Sequence, residues 1–170
     1  MKVCWIDFPE SKGRLGVLPK ESIEGQFLAR LGELKAEGVS LIVSMLSESE
    51  IEGEIEGPSV EAADMRFHWS PLADWGVPRD DAHAAQILAP ILEALNAGES
   101  VVVHCHYGIG RSPTIAALAM VHNGVSAPES IARISQARQR RVPDTAAQAD
   151  WVIEYARRLT SKAQTSVPNH

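Results

Sequence analysis

Apolar positions along the chain change their spacing repeatedly, and each change marks an expected element. Residues 2–6 and 14–18 (RLGVL) are short apolar runs on either side of a polar turn, which predicts two strands. Ile23, Phe27, Leu31 and Leu34 fall on one helical face, with Ser22 as a cap and Gly38 beyond the end. That spacing predicts a helix over 22–37. The continuous apolar run 39-VSLIVSML-46 suits a strand buried on both faces, as in parallel sheets. Next, 47-SESEIEGEIEGPS-59 loses all periodicity and reads as an exposed acidic loop, with a grip on a basic partner as the competing reading. A short helix over 59–65, a strand at 66-RFHW-69 and a proline-bounded loop, 70-SPLADWGVPRDD-81, follow. An amphipathic helix is expected over 81–97 and a strand over 100–104. Three helices, about 112–122, 128–139 and 144–160, complete the chain. Alternation of strands and helices predicts an α/β fold with a central, mostly parallel sheet flanked by helices.

Composition narrows the function. The chain has 170 residues, 45% of them hydrophobic, enough for one domain spanning 1–170 with a real core. Its net charge is −6, unevenly placed: 8 basic and 18 acidic residues lie in 1–100, but 8 basic and 4 acidic in 101–170. An acidic surface argues against nucleic acid as partner, and the basic C-terminal part could draw in an anion. No apolar run approaches a membrane span, and Asp7 interrupts any leader-like core. A cytoplasmic monomer with no membrane contact is the expectation. Two cysteines, Cys4 and Cys105, make no disulfide framework, which fits a reducing compartment. The six histidines show no metal-ligand spacing, so neither metal nor cofactor is expected.

The chemistry concentrates in 101-VVVHCHYGIGRSPTIAALAMV-121. Five residues, His106, Tyr107, Gly108, Ile109 and Gly110, separate Cys105 from Arg111. Gly108 and Gly110 allow positive φ and close backbone approach. A strand–loop–helix turn of this size can aim several N–H groups inward, and with the following helix N-terminus they form an anion nest. Arg111 adds a planar fork for two oxygens of a phosphoryl group. The same amides favour a thiolate at Cys105, and a thiolate beneath a bound phosphate can attack phosphorus in line. Ser112 can donate to the sulfur and help it depart. His104 reads as a strand-end histidine, with tuning of the loop through hydrogen bonds as the alternative.

A thiolate expels an alkoxide or phenoxide poorly unless a general acid protonates it. The loop 71-PLADWGVP-78 offers Asp74, with Trp75 to pack the loop or exclude water. Asp80 and Asp81 read as caps of the next helix. Cys4 reads as a strand cysteine, with a protective disulfide to Cys105 as the alternative. Trp5, Trp69 and Trp151 read as core or half-buried anchors. The run 138-RQRR-141 reads as a solvated helix end, with contacts to phosphopeptide acids or membrane headgroups as the alternative.

These residues resemble a known family. His104-Cys105-x-x-Gly108-x-x-Arg111-Ser112 is similar to the signature of cysteine-dependent protein tyrosine and dual-specificity phosphatases, and 74-DWGVP-78 resembles the general-acid loop of the tyrosine phosphatases. The resemblance covers about 14–160. The stretches GRLGVLPK and TAAQADWVIEY resemble the kinase-associated, cyclin-dependent kinase inhibitor 3-like branch of the compact dual-specificity type. The resemblance implies a phosphatase acting on a phosphorylated protein or peptide through a cysteinyl-phosphate intermediate. It also implies that Gln148 positions the hydrolytic water. Three features depart from the family pattern: His106 and Tyr107 replace small residues, Pro113 follows Arg-Ser, and no lysine lies in the loop. The missing lysine argues against inositol phospholipids, and Pro113 is compatible with a first helical turn. Rival substrates are RNA 5′-triphosphate or an inositol polyphosphate. Rival functions are a rhodanese-like sulfur carrier, which needs no Asp74, and a phosphate-binding pseudoenzyme.

Overall fold

The apolar runs assemble into a five-stranded sheet in the order β1-β2-β5-β3-β4. The structure is a computed structural model describing residues 3–19, 27–51 and 56–165. The strands are β1 (Cys4–Trp5), β2 (Arg14–Pro19), β3 (Val39–Ser44), β4 (Arg66–Trp69) and β5 (Ser100–Cys105). Only β1 runs antiparallel to its neighbour; β2, β5, β3 and β4 pair in parallel. The helices are α1 (Phe27–Ala36), α2 (Glu56–Ala62), α3 (Asp81–Asn96), α4 (Arg111–His122), α5 (Ala127–Arg138) and α6 (Ala146–Thr165). The predicted α/β class and mostly parallel sheet are what the chain forms. The expected cap Ser22 and the helical position Ile23 lie outside the described residues, as does His170.

Period-two alternation sorts the strands onto two cores. Leu15, Val17, Leu41, Val43, Val101, Val103 and Cys105 face one, with buried side chains of α3, α4, α5 and α6. Leu18, Val39, Ile42 and Val102 face the other, with Leu31 and Leu34 of α1 and Val60 of α2. The sheet is therefore covered on both faces, as its near-continuous apolar strands require. Helix α4 is buried from Arg111 to Val121, so its alanine-rich sequence lets it pass closely between the sheet and the outer helices. Central strand β5 is hydrogen-bonded on both sides and ends at Cys105, where Pro19 of β2 is its register partner.

Several local expectations change. Trp69 is exposed rather than packed, although its Nε1 donates to the Leu46 carbonyl at 2.8 Å. Asp80 caps α3, accepting from the His83 amide at 2.7 Å. Asp81 is no cap: it binds Arg158 at 2.9 Å and Lys162 at 2.8 Å, tying α3 to α6. Cys4 cannot meet Cys105 in a disulfide without backbone movement. It pairs with Val17, which pairs with Val103, so two strand spacings, roughly 10 Å, separate their tracks, beyond disulfide reach.

Candidate active site

Strand β5 delivers Cys105 to the carboxyl edge of the sheet, where parallel α/β folds hold their ligands. The side chain is 2% exposed, at the floor of a cavity of about 170 Å³. Asp74, Trp75, Tyr107, Ile109, Gly110, Arg111 and Asp144 line the same cavity. Ser112 is fully buried, and its Oγ lies 3.2 Å from Cys105 Sγ. The loop needs its glycines for different reasons. Gly108 sits at φ +66, in the left-handed region. Gly110 is the N-cap of α4, and a Cβ there would stand 3.0 Å from Gln148 Nε2. With no capping side chain from Gly110, the first-turn amides of α4 are left to the loop.

Arg111 is buried and held from several sides. Nη1 donates to the Leu72 carbonyl at 3.1 Å and lies 3.3 Å from that of Met45. Glu50 grips the guanidinium bidentately, at 2.6 Å from Nη1 and 2.7 Å from Nη2. Such fork–fork pairs fix direction as well as energy. Glu50 is itself braced, because Oε2 accepts from the Ser47 amide at 2.9 Å and the Ser47 hydroxyl at 2.7 Å. Hydrogen bonds from Arg111, helped by those from Ser47, hold the Glu50 carboxyl down to about 2 against the opposing effect of burial. Burial works against the Arg111 charge. Its bonds to Glu50, with the charges of Cys105, Glu50 and Asp74, nevertheless raise its ionisation above the ordinary guanidinium value.

The loop carrying Asp74 reaches over the cavity. Asp74 is about half-exposed, and its Oδ1 lies 3.3 Å from Arg111 Nη2. The same Oδ1 accepts from the Trp75 amide at 3.0 Å, and Gly76 N donates to the Ala73 carbonyl at 2.8 Å. Trp75 sits at φ +56 and is 65% exposed, an unfavourable backbone placing a large aromatic ring at the cavity rim. Gly76 is required, since a Cβ there would come within 2.7 Å of the Ala73 carbonyl oxygen.

Gln148 is fully buried, and its Nε2 donates to the Gly76 carbonyl at 3.2 Å while Oε1 accepts from the Thr145 amide at 3.2 Å. Its amide thus bridges the Asp74 loop and the start of α6. From this end of the chain it is Asp144 that lines the cavity. Tyr107 is 49% exposed on the rim, with its ring edge-on to His106 at 4.4 Å. His106 Nδ1 lies 3.9 Å from Glu50 Oε1. His104 is fully buried beneath the loop, as a strand-end residue.

At the site, two residues stand differently from the sequence expectation. Glu50 was placed in a solvated acidic loop, yet it is the partner of Arg111. Its signal was local: Ser47-x-x-Glu50 is a capping-box spacing, and that turn forms, with the Glu50 and Ile51 amides on the Ser47 carbonyl. Arg138 was placed on a solvated helix end, yet it is bonded to the loop after Cys105. Among the described residues, no cluster of three or more His, Cys, Asp or Glu is arranged to hold a metal ion, and no helix is long and apolar enough to cross a membrane.

The chain is similar to known proteins in sequence and in fold. Residues 22–125 match the family model described as "Tc-R-P: Polymorphic toxin system, DSP-PTPase phosphatase". A 60-residue stretch is 42% identical to the protein tyrosine phosphatase PRL-1 of Leishmania major, covering 35% of this chain and about a third (33%) of that protein's length. The kinase-associated phosphatase, in a form with serine for its catalytic-site cysteine, superposes with a TM-score of 0.81 at 20% identity, over 95% of this chain and 97% of that one. A protein tyrosine phosphatase structure from Leishmania major gives 0.71 at 24% identity, over 91% and 99%. PTPMT1, in complex with PI(5)P, gives 0.71 at 23%, over 91% and 96%. These structures share the fold.

Proposed function

The chain belongs to the DSP-PTPase phosphatase family, and from that premise we propose that it hydrolyses phosphotyrosine in proteins or peptides through a cysteinyl-phosphate intermediate. The observation that carries the reading is convergence: Asp74, from a loop far earlier in the chain, lines one cavity with Cys105 and Arg111, and Ser112 lies against the sulfur.

In the first step the Cys105 sulfur attacks phosphorus. The S–P bond forms as the bond from phosphorus to the leaving oxygen breaks, and Asp74 gives that oxygen its proton. The amides of 106–110 and the remaining N–H groups of Arg111 hold the equatorial oxygens. In the second step water attacks phosphorus and surrenders a proton to the Asp74 carboxylate. The S–P bond breaks, with Ser112 Oγ–H donating to the departing sulfur. Gln148 acts here by holding the Asp74 loop through Gly76, while Asp144, which lines the cavity, faces the water. Neither a metal nor a cofactor enters these steps.

Substrate preference rests on the rim. A nearly buried sulfur below two exposed aromatic side chains, Trp75 and Tyr107, is reached more easily by a long aryl ester than by a short alkyl one. Aromatic contacts of this kind contribute about 1 kcal/mol each beyond area burial. Phosphoserine and phosphothreonine are the slower substrates. A multiply anionic ester, such as an inositol polyphosphate or RNA 5′-triphosphate, would meet Asp144 and Asp74 with no lysine in the loop. We place this activity in a single cytoplasmic domain acting as a monomer, without nucleic acid or membrane.

Wild type, Cys105→Ser and Asp74→Asn are to be compared on an aryl phosphate and on phosphotyrosine and phosphothreonine peptides. The expected order is phosphotyrosine ahead of phosphothreonine, with both variants severely impaired. Cys105→Ser with wild-type turnover would exclude the mechanism, and an unaffected Asp74→Asn that moves sulfur would favour the sulfur carrier.

A further inference from the structure

A loop can aim its amides at an anion only if its carbonyls turn the other way and find donors of their own. In the loop after Cys105 two of those carbonyls are taken by one side chain. Arg138 Nε donates to the Gly108 carbonyl at 2.8 Å, and Nη2 donates to the Tyr107 carbonyl at 3.2 Å. The third arm of the guanidinium, Nη1, lies 3.2 Å from Cys4 Sγ on edge strand β1. Arg138 is the last residue of α5, followed by Gln139 at φ +52, so the helix ends where the arginine must turn toward the loop. A cation at a helix C-terminus is also favoured by the backbone dipole.

We propose that Arg138 is a positioning residue of the oxyanion site. It holds the Tyr107 and Gly108 carbonyls outward, so that the amides on the other side of those peptides face the phosphoryl group. The inference rests on reading 106–110 as an oxyanion cradle. Gly108 at φ +66 is the point where the chain reverses, so it is the peptide most able to flip if its carbonyl loses its donor. The guanidinium charge beside these carbonyls also polarises the peptides and strengthens their N–H groups as donors. The planar fork is essential: a lysine can reach one carbonyl but cannot span two while facing Cys4. Arg138 touches no reacting atom.

The test reads oxyanion affinity directly, because turnover would mix positioning with chemistry. Tungstate binding is measured by calorimetry for wild type, Arg138→Met, Arg138→Lys and Arg140→Met, with Tm recorded for each. Arg138→Met is expected to bind tungstate about tenfold more weakly, with KM raised more than kcat is lowered. Arg138→Lys should recover only part of the affinity, and the exposed Arg140→Met should bind as wild type does. A folded Arg138→Met binding tungstate within twofold of wild type would reduce Arg138 to a structural prop and overturn the proposal. If the methionine variant does not fold, wild-type affinity in Arg138→Lys overturns it equally. A wild-type protein that binds tungstate but hydrolyses no phosphate ester defeats the phosphatase reading while leaving this inference standing. One that binds no oxyanion defeats both.

Discussion

Replacing Glu50 by glutamine removes half of the ion pair that holds Arg111 and leaves a buried guanidinium with a neutral partner. The magnitude follows from the carboxyl itself, which is held at about 2 rather than 4.5. That difference corresponds to about 3 kcal/mol, an upper figure because a fifth (20%) of the side chain faces solvent. Glutamine retains one acceptor oxygen, so a loss of about 2 kcal/mol is expected, which in a domain of this size lowers Tm by about 4–8 °C. The pH dependence has a definite sign. A depressed carboxyl stabilises the fold above its unfolded value near 4.5, and the benefit disappears as pH falls through about 2. The Tm gap between wild type and Glu50→Gln should therefore be full at pH 7 and close as pH drops from 4.5 toward 2. With Arg111 loosened, kcat/KM should fall about 10- to 100-fold at pH 7. Thermal melts across pH and steady-state kinetics on an aryl phosphate supply both readings. Equal Tm at pH 7 together with unchanged kcat/KM would refute the argument that Glu50 holds Arg111 for catalysis.

Other expectations follow from single contacts. Asp74→Asn should cut kcat about 10²- to 10⁴-fold on phosphotyrosine but much less on an ester with a strongly acidic leaving group, read from a leaving-group series. Ser112→Ala should slow breakdown of the intermediate more than its formation, seen as a larger burst in stopped-flow kinetics. Gly110→Ala should press the Gln148 amide by a few tenths of an ångström, weaken its hold on the Gly76 carbonyl and lower kcat/KM on an aryl phosphate. Trp75→Ala with Tyr107→Ala should reduce the preference for phosphotyrosine over phosphothreonine peptides by about thirtyfold, measured as a ratio of kcat/KM values.

The contrast between what was legible in sequence and what was not has a physical cause. Cys105, Gly108, Gly110, Arg111 and Ser112 are contiguous, and their spacing alone encodes a strand–loop–helix cradle. Asp74 was legible because prolines and a glycine mark its loop. The strand pattern was equally plain, since β3 and β5 must be apolar on both faces. Glu50 was harder. Its partner lies 61 residues away, and the Ser47-x-x-Glu50 spacing marks the turn but not the arginine that Glu50 meets. Arg138 was hidden for a similar reason, as one of three arginines in 138-RQRR-141 with only its position at the helix end to distinguish it. Asp81 was read as a cap because Asp80 and Asp81 compete for that place, and only packing against α6 sends the second one elsewhere. Local chemistry is written in adjacent residues; the supports that orient it come from distant elements.

The central claim is that phosphorus passes through the Cys105 sulfur. Rapid acid quench during turnover of a phosphotyrosine peptide, followed by mass analysis of the proteolytic fragment containing Cys105, measures this directly. A phosphoryl adduct on Cys105 is expected, building up in Ser112→Ala and absent from Cys105→Ser. Sustained phosphate release with no adduct on that fragment, or undiminished release by Cys105→Ser, would contradict it.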